Sequence, residues 1–194
     1  MAKILAFSGS TRAGSFNQRL LDIAVAGARE SGVEVTEINL NDFPMPIYNQ
    51  DLEFSEGLPE SAAELKQLML DHKGLLIASP EYNGFPSALL KNTLDWVSRP
   101  QASHEPPLFA FRGKIAAVMA ASQDQGGGVQ GLVSLRILLQ NLGVMVVPDQ
   151  VTLAKAGDAF REDGRLHNHD LKQIIEGLGS ELADVLNKMI VRFD

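Results

Sequence analysis

Apolar residues in this 194-residue chain fall into two patterns that take turns along its length. Short runs dense in aliphatic and β-branched residues occur at KILAFS (3–8), VEVTEI (33–38), GLLIAS (74–79), KIAAVMA (114–120) and VMVVP (144–148). Several are almost continuously apolar, as strands covered on both faces should be, and that predicts a parallel sheet. Between them lie NQRLLDIAVAGARES, ESAAELKQLMLDHK, PSALLKNTLDWVSR and VQGLVSLRILLQNL, in which apolar positions recur at helical spacing. These segments end near Gly32, Gly74, Pro100 and Gly143, which are plausible stop signals. A last segment, Leu171 to Phe193, places Leu171, Ile174, Ile175, Leu178, Leu182, Val185, Leu186, Met189 and Ile190 on one stripe, the mark of a helix lying on a sheet.

Five strands alternating with five helices, joined by short right-handed crossovers, pack most naturally as an open α/β sheet. The expected architecture is a doubly wound five-stranded parallel sheet of order 2-1-3-4-5 with helices on both faces. No repeat, low-complexity tract or linker interrupts the pattern, so residues 1–194 are expected to form a single domain. In such a sheet ligands bind beyond the carboxyl ends of the strands at the switch point, where the loops after the first, third and fourth strands converge. Those loops are the unusual ones: GSTRAGSFN (9–17), SPEYNGF (79–85) and SQDQGGG (122–128).

The first loop carries Ser10, Thr11, Arg12 and Ser15 and runs into a helix starting near Phe16 or Asn17. A helix N-terminus offers unpaired N–H groups and the positive dipole end, and hydroxyls with a guanidinium add charge-assisted donors, so the loop suits a small anion such as a terminal monophosphate. A nucleoside triphosphate P-loop is disfavoured, because Ser15-Phe16 stands where Lys and Ser/Thr would follow GxxxxG. The dinucleotide fingerprint GxGxxG fails as well, since Ser10-Thr11 follows Gly9. The same residues would also serve as a turn and helix cap. In the second loop, Pro80, Asn83, Gly84 and Pro86 predict an irregular exposed backbone rather than a tight hairpin, with amides free to read a planar heterocycle and Tyr82 beside it. Pro86 is expected to open the next helix. The third loop, Ser122 with Gly126 to Gly128, would let backbone approach the far side of that ring or would simply be a flexible turn.

Reactive groups are scarce on these walls. His72, His104, His167 and His169 lie outside the three loops and read as surface residues. Glu81 and Asp124 are the loop carboxylates, Glu81 as a general base being less expected than a solvated side chain, and no Ser-His-Asp or metal-ligand spacing is present. No catalytic residue and no metal are therefore assigned, and a site rich in binding groups but poor in reactive ones implies that a cofactor does the chemistry. Composition narrows the classes further. The absence of cysteine removes disulfides, thiolate metal sites and cysteine nucleophiles and suits a reducing compartment. Twenty-four acidic against 17 basic residues give a net charge of -7 with the basic residues scattered, so nucleic acid is not an expected partner. No apolar run approaches membrane-spanning length and no signal-peptide pattern is seen, so a soluble, cytoplasmic protein without a membrane partner is expected.

The segments GSTRAGSFNQRL, SPEYNGFPSALLKNTLDWVSR and LRILLQNLG resemble the NADPH-dependent FMN reductase family, whose members include bacterial flavoproteins that reduce quinones, chromate and azo compounds. The likeness runs from Lys3 to about Pro148. It implies a flavodoxin-like fold that binds FMN and takes electrons from NADPH or NADH. Ser10, Arg12, Ser15 and Asn17, with Phe16 among them, match the family's phosphate positions; Pro80, Glu81, Tyr82 and Asn83 match those along the isoalloxazine ring; Ser122 resembles the residue near the pyrimidine side. Many relatives carry a proline one position after Pro86, and Gln123-Asp124-Gln125 falls where relatives vary, which leaves acceptor choice open. The resemblance further implies a homodimer or homotetramer with DWVSR at its interface, although Trp96 and Val97 fit an intramolecular core equally well. The expected activity is ping-pong transfer of electrons from NADPH through bound FMN to small-molecule acceptors such as quinones. The alternative is a flavodoxin-type carrier that holds FMN without turning over nicotinamide.

Overall fold

A computed structural model describes residues 2–190. In chain order the elements are β1 (Lys3–Ser8), α1 (Phe16–Glu30), β2 (Glu34–Asn39), α2 (Gln50–Glu56), α3 (Glu60–Asp71), β3 (Gly74–Ala78), a hairpin of β4 (Glu81–Tyr82) and β5 (Phe85–Pro86), α4 (Ala88–Val97), β6 (Ile115–Ala121), α5 (Val129–Asn141), β7 (Met145–Leu153), α6 (Ala156–Ala159) and α7 (His169–Ile190). The main sheet is all parallel in the order β2-β1-β3-β6-β7, which, counting only its five strands, is the expected 2-1-3-4-5. Every residue of β3 and β6 is buried, because α1 and α7 pack on one face of the sheet and α3, α4 and α5 on the other. Apolar side chains in one cluster include Ile4, Ala6, Leu21, Met119 and Leu182; those in the other include Leu5, Phe7, Leu75, Leu94 and Leu135.

Several local expectations change. β7 does not stop at Pro148: the register slips between its pairs with Ala116 and Val118, so Val147, Pro148 and Asp149 bulge out and pairing resumes at Gln150. A proline has no N–H to give a ladder, and an edge-strand bulge is where it can sit. Pro86 does not open α4; it pairs with Glu81 across the hairpin, and the Ser87 hydroxyl caps the helix at the Leu90 N–H. α2 buries none of its residues, so it carries no apolar periodicity to be recognised, and its start is set by the Asn49 carboxamide accepting from Asp51 and Leu52. On α7 the stripe is narrower than expected, with Ile175, Leu178, Leu182 and Leu186 buried while Ile174 and Met189 are exposed; Val191 to Phe193 fall outside the described residues. His72 is not a surface residue: its ring is buried, with Nε2 2.8 Å from the Thr36 hydroxyl and Nδ1 2.6 Å from the Leu68 carbonyl. The other three histidines are exposed.

Two contacts show how tightly the layers close. α1 and α7 meet where each presents a glycine: a Cβ on Gly27 would stand 2.0 Å from the Glu176 carbonyl oxygen, and one on Gly179 would stand 1.9 Å from that of Ala24. Only backbone without side chains fits there, and neither partner atom is a flexible end that could swing away. On the opposite face, buried Lys114 donates to the carbonyls of Met69 and His72 at the end of α3. Burial pushes its ammonium down to about 8, with the Lys73 charge acting in the same direction and Asp71 opposing. A neutral amine still has two N–H groups for those two carbonyls.

Replacing Gly179 with Ala should therefore lower the unfolding free energy by about 2–4 kcal/mol, at or above the upper range for overpacking, as read from a urea melt; a loss near zero would mean that the helices can separate freely. Lys114 gives a pH signature. Its unfolded value of 10.5 lies above its folded value, so the unfolded chain binds more protons between about 8 and 10.5, and this group makes the fold more stable as pH rises through that window. The melting-temperature difference between the native chain and Lys114→Met should accordingly move in favour of the native chain from pH 7.5 to pH 10.

Candidate functional site

At the carboxyl edge of the sheet the chain leaves β1 through Gly9, whose N–H donates to the Ala78 carbonyl and whose carbonyl accepts from the Ser87 hydroxyl at 2.6 Å. This fixes the start of the first loop against β3 and α4. The loop then turns back, with the Ser15 N–H on the Arg12 carbonyl, and Ser15 caps α1 by accepting from the Gln18 N–H. The N–H groups of Phe16 and Asn17 have no intrachain acceptor among the described residues. They open toward the cleft at the positive end of a 15-residue helix that has no acidic residue in its first turn. Arg12 and Arg19 flank this end. Arg12 lies 5.3 Å over the Phe16 ring and Arg19 5.8 Å from the same centroid, and Phe16 stacks on Phe160 at 5.9 Å. Neither arginine makes an ion pair among the described residues, although the chain carries a net charge of -7. Two unneutralised cations beside free amides give this end the chemistry that suits an anion.

The second wall departs from expectation in a useful way. SPEYNGF does form a tight hairpin, with Glu81 paired to Pro86 and Tyr82 to Phe85 around Asn83 and Gly84, both at positive φ (54° and 81°). Asn-Gly is the pair that a two-residue turn with both central φ values positive selects. The hairpin is latched to α5 at two points: the Glu81 carboxylate accepts from the Gly131 N–H at 2.9 Å, and the Ser134 hydroxyl donates to the Gly84 carbonyl at 2.8 Å. Glu81 thus has a structural partner: it caps the α5 N-terminus, where a negative charge is favoured. Gly131 makes the approach possible, since a Cβ there would lie 3.0 Å from Glu81 Cβ, while Gly128 holds φ 90° and a Cβ on it would lie 2.7 Å from Ala120 Cβ at the end of β6. The glycine loop is consequently a constrained cap rather than a slack turn. Ser122 shapes the same wall by accepting from the Asp124 N–H.

The first and third walls are joined by Asn17. Its carboxamide is buried and makes two bonds to one residue, Nδ2 donating to the Ala121 carbonyl and Oδ1 accepting from the Ala121 N–H, each at 2.9 Å. Both ends of the side chain are therefore engaged in tying the first turn of α1 to the end of β6, and the Asn17 N–H stays free at the helix end.

Between the walls lies a cavity of about 410 Å³ lined by Ser10, Arg12, Ser15, Phe16, Asn17, Pro80, Glu81, Tyr82, Ala121, Ser122 and Gln123. Of the residues matched to the family's positions it brings together all but Asn83, which lines an adjoining cavity of about 530 Å³ with Tyr82, Ser122, Asp124, Gly126 and Gly128; Thr11 lies outside both. Ala121 and Gln123 were not expected; they flank Ser122, and only the register of β6 brings them to the edge. Chemically the space provides an anion cradle at one end, a flat wall of hairpin backbone with a half-exposed tyrosine at the other, and no paired acid and base between. No group of His, Asp and Glu able to hold a metal occurs among the described residues.

Three comparisons bear on this geometry. Residues 2–158 match the family model described as NADPH-dependent FMN reductase. The chain is 32% identical over 175 residues to an NAD(P)H-dependent FMN reductase of Pseudomonas aeruginosa, covering 90% of this chain and 89% of that one. It is 32% identical over 171 residues to a 2-hydroxy-1,4-benzoquinone reductase of Burkholderia, covering 84% and 88%. The fold matches that of a flavoenzyme NAD(P)H:(acceptor) oxidoreductase from Paracoccus denitrificans with a TM-score of 0.77 at 24% identity, over 97% and 98% of the two chains.

The Asn17 bridge yields a test independent of any ligand. Asn17→Ala leaves a buried N–H and a buried carbonyl of Ala121 without partners, which should lower stability by about 2–4 kcal/mol in a denaturant melt. Asn17→Asp keeps the acceptor but sets a carboxylate against the Ala121 carbonyl, and should rescue little of that loss.

Proposed function

The chain belongs to the NADPH-dependent FMN reductase family, and from that premise we propose that it is an FMN-dependent NAD(P)H oxidoreductase whose cofactor occupies the cavity between the three loops. The observation that carries the placement is the convergence of nine expected residues on one 410 Å³ space with an anion cradle at one end. Ser10, Arg12, Ser15 and the N–H groups of Phe16 and Asn17 would hold the phosphate, and Pro80 to Asn83 with Ser122 would line the ring. When bound, FMN supplies the capacity to accept a hydride and to pass electrons on one or two at a time. The protein's own contribution is to bind and orient. The helix end and Arg12 would neutralise the phosphate, the doubly latched hairpin holds its backbone donors rigid, and Gly131 lets that hairpin sit close against α5. No side chain has to move a proton.

Quinone-type acceptors are the substrates this reading favours, as the name of the Burkholderia relative suggests. Pairing into a homodimer, or a homotetramer built from it, is part of the same proposal. Its support is an exposed apolar face in which Tyr82 and Phe85 of the hairpin adjoin Val129, Val133 and Ile137 of α5, at 37–64% exposure. Within DWVSR, Trp96 and Val97 are fully buried in the chain, with the Trp96 Nε1–H donating to the Pro46 carbonyl, so these two apolar side chains belong to the core as the alternative reading had it. No described helix is long and apolar enough to cross a membrane, and a cytoplasmic setting, beside its nicotinamide donor, completes the reading.

The direct test is spectroscopic. Protein reconstituted with FMN should retain a flavin spectrum through desalting and bleach on adding NADPH without oxygen; a colourless eluate would remove the cofactor assignment, and a retained flavin that NADPH leaves unchanged would remove the reductase assignment. Arg12→Ala should weaken FMN by about 1.5–3 kcal/mol, the range for bonds to charged groups. Sedimentation should show a dimer or tetramer that Val133→Glu shifts toward monomer.

A further inference from the structure

We propose that Phe160, on the segment that follows β7, is a positioning residue for the phosphate end of the flavin cavity, seating by ring stacking the groups that meet the anion; this rests on the FMN placement above. The segment is drawn onto the third loop as soon as the sheet ends. Lys155 turns the chain at a positive φ of 46°, and three N–H groups then meet that loop: Lys155 on the Asp124 carbonyl at 3.3 Å, Ala156 on that of Ser122 at 3.0 Å and Gly157 on the Gln123 carboxamide oxygen at 3.0 Å. From there the chain crosses to the first loop, where Phe160, 6% exposed, lies against Phe16 with the rings nearly parallel, at 9°. A bridge between Phe160 and Leu166, and the His167 N–H on the Ala159 carbonyl, hold that end of the segment. It is thus a strap joining the third wall to the anion end.

What the strap seats gives it a role in binding. The Arg19 guanidinium lies 5.6 Å from the Phe160 centroid and 5.8 Å from that of Phe16, so it rests on the ring pair rather than on either ring alone, while Arg12 covers Phe16 at 5.3 Å. An aromatic face attracts a guanidinium through its quadrupole and takes none of its charge, and the N–H donors stay available to an anion. A carboxylate partner would hold the same side chain but neutralise it, which a chain of net charge -7 can ill spare where a phosphate must bind. The ring pair therefore places cations without cancelling them. Stacking also fixes Phe16 itself, whose backbone N–H belongs to the cradle. A leucine at position 160 would fill much of the space of the ring but would offer Arg19 no face to rest on.

Fluorescence titration of the flavin-free chain with FMN and with riboflavin, which has the same ring but no phosphate, separates positioning from packing. The native chain should bind FMN more tightly than riboflavin. Phe160→Leu should weaken FMN about three- to fivefold, leave riboflavin within about twofold and flatten the salt dependence of FMN binding. Phe160→Tyr, which keeps the aromatic face, should restore the native FMN affinity. Arg19→Ala should weaken FMN by a similar factor, and adding Phe160→Leu to it should cost little more, since both remove the same seated cation. If Phe160→Leu weakens FMN and riboflavin by the same factor, the residue is a packing element and the proposal is overturned. Unchanged FMN affinity in Arg19→Ala, at a position only partly buried, overturns it as well. A native chain that binds FMN no more tightly than riboflavin would remove the phosphate placement itself, whereas a native preference for FMN that the variants match would remove only the role of Phe160.

Discussion

The site depends on one buried carboxamide. Asn17 meets both the N–H and the carbonyl of Ala121, so the helix that offers its free amides to an anion is bolted to the strand that ends at the opposite wall. A parallel sheet by itself fixes only the strands. The loops that leave it could adopt many separations, and an extended cofactor needs its two ends held at one distance. Because the alternative to this bond is two unsatisfied backbone groups in the interior, the spacing is enforced by desolvation rather than by loop stiffness. The Glu81 carboxylate does the same for the remaining wall, capping α5 and thereby fixing the hairpin.

This arrangement explains why the site has so few reactive side chains. The side chains of Asn17 and Glu81 are both engaged by backbone groups. What remains toward the cleft is amide, hydroxyl and guanidinium, a set suited to holding a charged cofactor and stabilising it in whichever state it adopts. The acidic character of the chain as a whole is not contradicted by an anion site, because Arg12 and Arg19 stand unpaired where the dipole of α1 already favours negative charge.

The strand order, the three site loops and nearly all of the cavity lining were legible in the sequence, because buried parallel strands are written as continuous apolar runs and loops at the switch point as dense polar and glycine segments. Other features were not legible for identifiable reasons. α2 has no buried face and so leaves no periodicity. The hairpin strands are two residues each, too short to show alternation, although Asn83-Gly84 was the signal for their turn. β7 continues past Pro148 because an edge strand tolerates a bulge that a central strand would not. The roles of Asn17, Glu81 and His72 rest on partners 104, 50 and 36 residues away, and no local pattern encodes such pairings.

The paired glycines at the crossing of α1 and α7 have a consequence for the far end of α1. With backbone seated against backbone, neither helix can slide along or roll over the other without collision, so the register of α1 is set from its middle as well as from its first turn. The cofactor proposed for the cradle would then meet a rod that is already indexed, and would lose little orientational freedom in aligning with it. Helix α7, which lines none of the cavities described above, is in this sense a keyway for the first one.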